Sequence, residues 1–212
     1  MDDLIFYDCA TAPSPRRARM FIAEKGLAIK TMQVDLKSGE HFSDEFRTLN
    51  PRCTVPVLVT GEGIALCDNA SIARYLEEIR PEPPLMGHDA LEKALVADWN
   101  SRVEFEGLLG VAEALRNSAP GLAGRALTGP VAYEQIPALA ERGKTRVANF
   151  YAVLEERLAQ SAYLTGDRFS WADISAFVFV EFAARAGVQP EHDFPSLAQW
   201  RQAIAARPSA SK

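Results

Sequence analysis

Leu4-Ile5-Phe6-Tyr7-Asp8-Cys9-Ala10-Thr11-Ala12-Pro13-Ser14-Pro15 is the stretch on which the reading of the fold turns. Leu4 to Tyr7 is a short β-prone run, and Thr11-Ala12-Pro13-Ser14-Pro15 ends it in a turn. The period then changes. Ala18, Phe21 and Ile22 recur at helical spacing, and Gly26 after Lys25 offers the left-handed residue that stops a helix. Ser14 is the expected N-cap, with Pro15 at the first helical position, where a missing N–H costs nothing. Ile29 to Val34 reads as a second strand. Strand, helix and strand make a βαβ unit, which implies parallel strands and a right-handed crossover.

Working outward, Glu40 to Thr48 reads as a short helix ended by Asn50-Pro51. Val55 to Val59 and Ile64 to Cys67 are brief strands around Gly61-Glu62-Gly63, the spacing of an antiparallel hairpin. A helix from about Asn69 to Arg80 carries Ile72, Leu76 and Ile79 on one face. The order to this point is β-α-β-α-β-β-α. Pro81-Glu82-Pro83-Pro84 breaks the last helix. Beyond it no convincing strand appears. Ala90 to about Leu115 is one long helical pattern, Asn117 to Pro130 is a loop, and helices resume over Leu139–Leu158, Ala172–Ala186 and Pro195–Ala206. No internal repeat is visible. An α/β half followed by an all-α half predicts two domains, residues 1–82 and 90–212, joined by a linker over 83–89.

The bulk numbers set limits. The 212 residues carry a net charge of −5, with 48% hydrophobic and 24% charged residues. That balance is ordinary for a globular chain, and its acidity argues against a nucleic-acid partner, which needs a basic face. No apolar run approaches the roughly 20 residues of a membrane span. Met1-Asp2-Asp3 is acidic where a secretory signal is basic. Cys9, Cys53 and Cys67 make no CxxC pair and no zinc spacing, so no metal is expected and a reducing cytoplasm fits.

Phe169-Ser170-Trp171-Ala172-Asp173-Ile174 is a sharper local signal. Ser170 and Asp173 are the two members of a capping box, and Phe169 and Ile174 occupy the positions of a hydrophobic staple. This predicts a well-defined helix start with a structural role.

Four segments together resemble the cytosolic glutathione transferases of the bacterial type. Ser14 to Phe21 followed by Glu24-Lys25-Gly26-Leu27 resembles the first helix of that family. Leu49-Asn50-Pro51 leading to Val55-Pro56-Val57-Leu58 resembles its cis-proline loop. Leu66 to Leu76 resembles the start of its glutathione-binding helix, with Asp68-Asn69 where Glu-Ser is usual. The Ser170–Asp173 box with its staple resembles the helical domain. The resemblance implies a thioredoxin-like α/β domain followed by an all-α domain, and a cytoplasmic homodimer to which Ile72–Leu76 and the long helix from Ala90 contribute. It also implies an enzyme that uses glutathione as co-substrate on a small electrophile, or to reduce a peroxide or disulfide. The Ser-Ser-Cys run of the maleylacetoacetate isomerases is absent at Thr11–Ser14. A non-catalytic binding or regulatory member of the family is the alternative.

Glutathione is an extended anionic peptide, and its site has separable parts. A cis Val55-Pro56 bond would aim the Val55 backbone groups at the cysteinyl unit, as a strand would. Asp68 and Asn69 stand at a helix start, where free N–H groups and the dipole favour a carboxylate. Asn69 would hold the γ-glutamyl carboxylate by backbone and side chain, and Asp68 its ammonium. His41, Lys37 and Arg52 are candidates for the glycyl carboxylate. The sulfur needs a donor that favours the thiolate, because a free thiol has a pKa of about 8.5. Ala12 and Pro13 stand at the usual donor positions and have no hydroxyl or thiol. Ser14 is the first candidate, Thr11 the second, then Cys9, with Tyr7 if the enzyme is of the tyrosine type. Arg16, Arg17 and Arg19 read as a mainly solvated basic face. Trp99, Arg102, Val103, Phe105 and Glu106 on the long helix are candidates for the wall that meets the acceptor.

Overall fold

The computed structural model of the chain describes residues 3–189 and 193–212; Met1 and Asp2, read above as part of an acidic N-terminus, lie outside the described residues. The chain forms two compact units. The first is Met1–Pro83 with Thr128–Ala132 and Lys212, and the second is Pro84–Leu127 with Tyr133–Ser211.

In the first unit β1 (Ile5–Asp8), α1 (Pro13–Glu24), β2 (Lys30–Gln33), α2 (Asp44–Leu49), β3 (Val57–Val59), β4 (Ala65–Leu66) and α3 (Asn69–Ile79) follow the expected order. The sheet runs β2-β1-β3-β4, with β1 and β2 parallel and the other two pairs antiparallel. The βαβ unit and the hairpin therefore share one sheet. Cys9, Val34, Phe46, Val55 and Val57 form a buried cluster against which Tyr7 and Ala12 pack. Gly26 ends α1 at φ +62°, with Leu27 N–H donating to Ile22 C=O at 3.1 Å. A side chain is strained at such a φ, which is why glycine stands there.

The start of α1 differs from the sequence reading. Ala12 is the N-cap and Pro13 opens the helix, so Ser14 already lies in the first turn and caps nothing. Proline at the first helical position fixes φ in advance, and Pro13 satisfies that rule one turn position before Pro15 does. Ile72, Ala73 and Leu76 on α3 are buried, so they present no face to a partner copy.

Lys25 is the least expected core residue. Its side chain is fully buried, and the ammonium pairs with Glu77 at 2.5 Å. It also donates to Pro81 C=O at 3.1 Å and Pro83 C=O at 2.5 Å. The ammonium thus has one carboxylate beside it and two carbonyls as hydrogen-bond acceptors, the kind of pairing under which a buried charge is tolerated. The contact ties the end of α1 to the chain leaving α3.

The second unit contains α4 (Ala90–Arg102), a π-helical turn (Val103–Leu108), α5 (Leu109–Arg116), α6 (Pro137–Leu158), α7 (Trp171–Arg185) and α8 (Pro195–Ala205). The long helix expected from Ala90 is therefore interrupted by the π turn. Gly107 lies in that turn, where an added Cβ would come within 2.9 Å of the Phe150 ring and 3.0 Å of the Phe179 ring. The expected linker also splits: Leu85 is buried and its C=O accepts from Trp171 N–H at 2.8 Å, so residues 84–89 belong with the helices. Among the described residues, no helix is long and apolar enough to cross a membrane.

The capping box forms as expected, and it does more than cap α7. Asp173 is fully buried and accepts four hydrogen bonds. The donors are Ser170 N–H at 3.0 Å, Ser170 Oγ–H at 2.8 Å, Leu164 N–H at 3.0 Å and Trp200 Nε1–H at 3.1 Å. One carboxylate thus joins α7, α8 and the loop before α7. Burial nonetheless pushes its pKa up to about 6, the hydrogen bonds opposing that rise. Asp173→Ala should leave four buried donors without an acceptor, at roughly 1–3 kcal/mol for each, and urea unfolding should show a loss on the order of 4 kcal/mol or more. The pH dependence has a definite sign. A folded pKa above the unfolded value of 3.8 means that the folded chain binds this proton more tightly. The contribution of this group is full below that value and is lost as pH rises through about 6. Asp173→Asn, which cannot titrate, should flatten the stability profile over that window.

Candidate active site

The turn from β1 into α1 is held by a buried ion pair. Asp8 is 1% exposed. Its Oδ1 accepts from Arg19 Nη1 at 2.5 Å and its Oδ2 from Gln33 Nε2 at 2.8 Å. Arg19 also donates to Cys9 C=O at 3.2 Å and Ala10 C=O at 3.1 Å, while Gln33 Oε1 accepts from Ala10 N–H at 3.0 Å. The network fixes the two residues before Thr11. Arg19 is thus a structural clamp and Arg17 is buried, so the basic cluster is not the solvated face its composition suggests.

The helix that follows is short of donors. Of the four N–H groups that a helix start leaves without partners, Pro13 and Pro15 have none to offer. Ala12 N–H is spent on Cys9 C=O at 3.0 Å. Ser14 therefore supplies what remains, its N–H and its hydroxyl, and it is exposed. Thr11 is exposed beside it, with Oγ1 3.5 Å from Cys9 Sγ. Cys9 is buried in the core cluster, and Tyr7 packs edge-on to Phe46 at 6.4 Å between ring centroids. Both are accounted for by packing.

The Val55-Pro56 bond is cis, as the resemblance implies, and so is Glu82-Pro83. Val55 lies just outside the β3 ladder. Its N–H and C=O make no hydrogen bond among the described residues. Asn50, which the sequence reading used only as a helix stop, builds the approach. It is 1% exposed, donates to Thr54 C=O at 2.8 Å and Thr54 Oγ1 at 3.0 Å, and accepts from Arg52 N–H at 3.0 Å. It closes the loop around Cys53, whose φ is +53°. An Asn two residues before a backbone N–H is the signal that could have found it.

Arg52 is exposed and its Nη2 donates to Cys67 C=O at 2.6 Å, bracing the entry to α3. Burial pushes the Cys67 thiol up, with Arg52 opposing, so Cys67 is not primed as a nucleophile. Asp68 caps α3: its Oδ1 accepts from Ser71 N–H at 2.8 Å. The N–H groups of Asn69 and Ala70 have no partner among the described residues, as at an anion-binding helix start. Asn69 itself is 3% exposed and turns inward, donating from Nδ2 to Ser14 Oγ at 2.9 Å. Its Oδ1 is buried without a hydrogen-bond partner among the described residues. The side chain is thus directed at Ser14.

The other candidates have local contacts of their own. His41 is 5% exposed and stacks on Phe42 with ring centroids 3.9 Å apart. Lys37 is exposed on the loop closed by Asp35, whose carboxylate accepts from Lys37 N–H at 2.9 Å. In the second unit Arg102 lies 4.4 Å over the Trp99 ring and 3.5 Å from Glu106, and Phe105 is exposed beneath the Arg146 guanidinium. Val103 is fully buried, so it belongs to the core and not to an acceptor-facing wall; the π turn rotates it inward. Among the described residues no group of three or more His, Cys, Asp or Glu could hold a metal ion.

These features coincide with similarity along the whole chain. The sequence model of the glutathione S-transferase N-terminal domain matches residues 11–79, and that of the C-terminal domain matches residues 122–208. Glutathione S-transferase 2 of Saccharomyces cerevisiae is 30% identical over 212 residues, covering 99% of this chain and 88% of its own. Disulfide-bond oxidoreductase YfcG of Escherichia coli is 27% identical over 220 residues, covering 100% of this chain and 94% of its own. The crystal structure of a glutathione S-transferase domain-containing protein from Marinobacter aquaeolei superposes with a TM-score of 0.89 at 34% identity, over 97% of this chain and 98% of that one. A cis-proline edge, two helix starts that meet through a hydrogen bond, and relatives matched end to end lead to one assignment: the chain belongs to the glutathione S-transferase family of enzymes.

Proposed function

We propose that this chain binds glutathione on its first unit and transfers the thiolate sulfur to a small electrophilic carbon. The observation that carries the reading is the 2.9 Å hydrogen bond from Asn69 to Ser14, which brings the starts of α3 and α1 together. Val55 N–H and C=O would pair with the cysteinyl unit as a strand does. The Asn69 and Ala70 N–H groups would receive the γ-glutamyl carboxylate, and the second oxygen of Asp68 its ammonium. Arg52, Lys37 and His41 remain the cations for the glycyl carboxylate. Arg52 is the best placed of them, because its backbone is fixed by Asn50 and its guanidinium by Cys67 C=O.

Glutathione bound in this way would have its sulfur near the start of α1, where Ser14 has a hydroxyl and an N–H. Thr11 is the second candidate. A donated hydrogen bond and a helix start both favour the thiolate. The sulfur lone pair then attacks the electrophilic carbon and the leaving group departs with its bonding electrons. The relative named as a disulfide-bond oxidoreductase supports a second reaction at the same site, attack of the thiolate on a disulfide. A cytoplasmic homodimer is part of the proposal, with the exposed Ile79, Leu91 and Leu95 as its apolar contacts.

Four measurements test this reading. The chain should be retained on immobilised glutathione and turn over a generic aryl halide; retention without turnover of that substrate or a mixed disulfide would favour a binding or regulatory member. Asp68→Ala should weaken glutathione binding by about 1.5–3 kcal/mol, at least about tenfold in Kd, with a smaller effect on kcat, because its contact is far from sulfur. Titration of thiolate absorbance should give a raised pKa for glutathione bound to Ser14→Ala and an unchanged one for Thr11→Ala; the reverse pattern would move the role to Thr11. Light scattering at micromolar concentration should give twice the chain mass, and a monomer mass would remove the dimer from the proposal.

A further inference from the structure

We infer that Asn69 is a positioning residue for the thiolate: its side-chain amide orients the Ser14 hydroxyl so that the single proton of that hydroxyl faces the sulfur. The inference rests on the functional reading above and goes further, since it assigns the Asn69 side chain to the chemistry and not to the γ-glutamyl carboxylate.

Three observations carry it. Asn69 is 3% exposed, so its amide lies inside the first unit and is not presented to solvent as a ligand arm would be. Its Nδ2 donates to Ser14 Oγ at 2.9 Å across 55 residues of sequence. A hydroxyl has one proton and two lone pairs. With one lone pair held by an N–H donor, the proton of Ser14 is directed away from that donor, and accepting a hydrogen bond makes the hydroxyl a better donor in turn. The helix start supports the same arrangement. Pro13 and Pro15 remove two of its N–H groups, so the sulfur depends more on this hydroxyl than it would at an ordinary helix start.

The third observation is a cost. Asn69 Oδ1 is buried and has no hydrogen-bond partner among the described residues. Leaving a buried acceptor unpaired is unfavourable. A chain that needed only to cap α3 already has Asp68, whose carboxylate accepts from Ser71 N–H at 2.8 Å. An aliphatic residue at this position would avoid the orphaned oxygen but would leave Ser14 Oγ free to rotate. The unpaired oxygen is thus the cost of an amide that points its N–H at Ser14.

The test uses the full chain and two probes, glutathione and S-methylglutathione, which has no ionisable thiol. Thiolate absorbance against pH gives the pKa of bound glutathione; calorimetry gives the affinity for S-methylglutathione. Asn69→Ala should raise the bound thiol pKa by about one unit, a tenfold change in the thiol–thiolate equilibrium, and leave S-methylglutathione affinity within about twofold. The Ser14→Ala, Asn69→Ala double variant should titrate as Ser14→Ala does, because the amide acts only through the hydroxyl. Asn69→Asp keeps the shape but offers only acceptors, so Ser14 should turn its proton toward it and the bound thiol pKa should rise at least as far as in Asn69→Ala. S-methylglutathione binding also reports that each variant is folded. If Ser14→Ala shifts the titration and Asn69→Ala does not, the role of Asn69 is overturned while that of Ser14 stands. If Asn69→Ala weakens S-methylglutathione binding tenfold without moving the titration, the amide holds the peptide and the inference fails. If the parent binds neither probe, the glutathione reading itself falls.

Discussion

A buried ion pair between Asp8 and Arg19 is the constraint on which the first unit depends. A carboxylate with almost no access to water must have its oxygens satisfied, and here Arg19 takes one and Gln33 the other. Those partners come from α1 and β2, so satisfying one side chain fixes the strand, the helix and the neighbouring strand together. The remaining donors of Arg19 go to the carbonyls of Cys9 and Ala10, which turns the same pair into a template for the loop that carries Thr11 to Ser14. One set of hydrogen bonds therefore holds both the sheet and the loop that leads into α1.

The same economy recurs on the other side of the candidate site. Asn50 closes the loop before the cis Val55-Pro56 bond, and Arg52 braces that loop against the chain entering α3. The result is a row of backbone groups held in place by side-chain hydrogen bonds. Asp68 caps α3, and the cap leaves the first N–H groups of the helix unspent. A peptide with a carboxylate at each end is the kind of ligand such a surface suits, because backbone donors read its main chain and helix starts read its charge.

The second unit shows a different balance. Its π turn packs Gly107 against Phe150 and Phe179 where a larger residue would collide, and it buries Val103 while leaving Phe105 outside. Asp173 concentrates four donors from α7, α8 and the preceding loop on one carboxylate. That arrangement sets a helix start rigidly, at the cost of keeping a carboxyl group wholly out of water. Nothing in it reaches solvent, which agrees with a structural role.

Features that depend on neighbours in the chain were legible in advance. The strand and helix periods, the stop at Gly26, the hairpin around Gly61-Glu62-Gly63 and the Ser170–Asp173 box all involve residues a few positions apart, where spacing dictates which groups can meet. The cis bond at Pro56 was legible only through the resemblance of its flanking residues, since spacing carries no information about the isomer. Tertiary structure alone decided the rest. Asp8 with Gln33, Lys25 with the carbonyls of Pro81 and Pro83, and Asn69 with Ser14 join residues 25 to 58 positions apart. Each of these is a polar group that burial forces to find a partner. Burial is a property of the packed chain and not of any window along it, which is why the hydrogen bond between Asn69 and Ser14 could not be read from the neighbours of either residue.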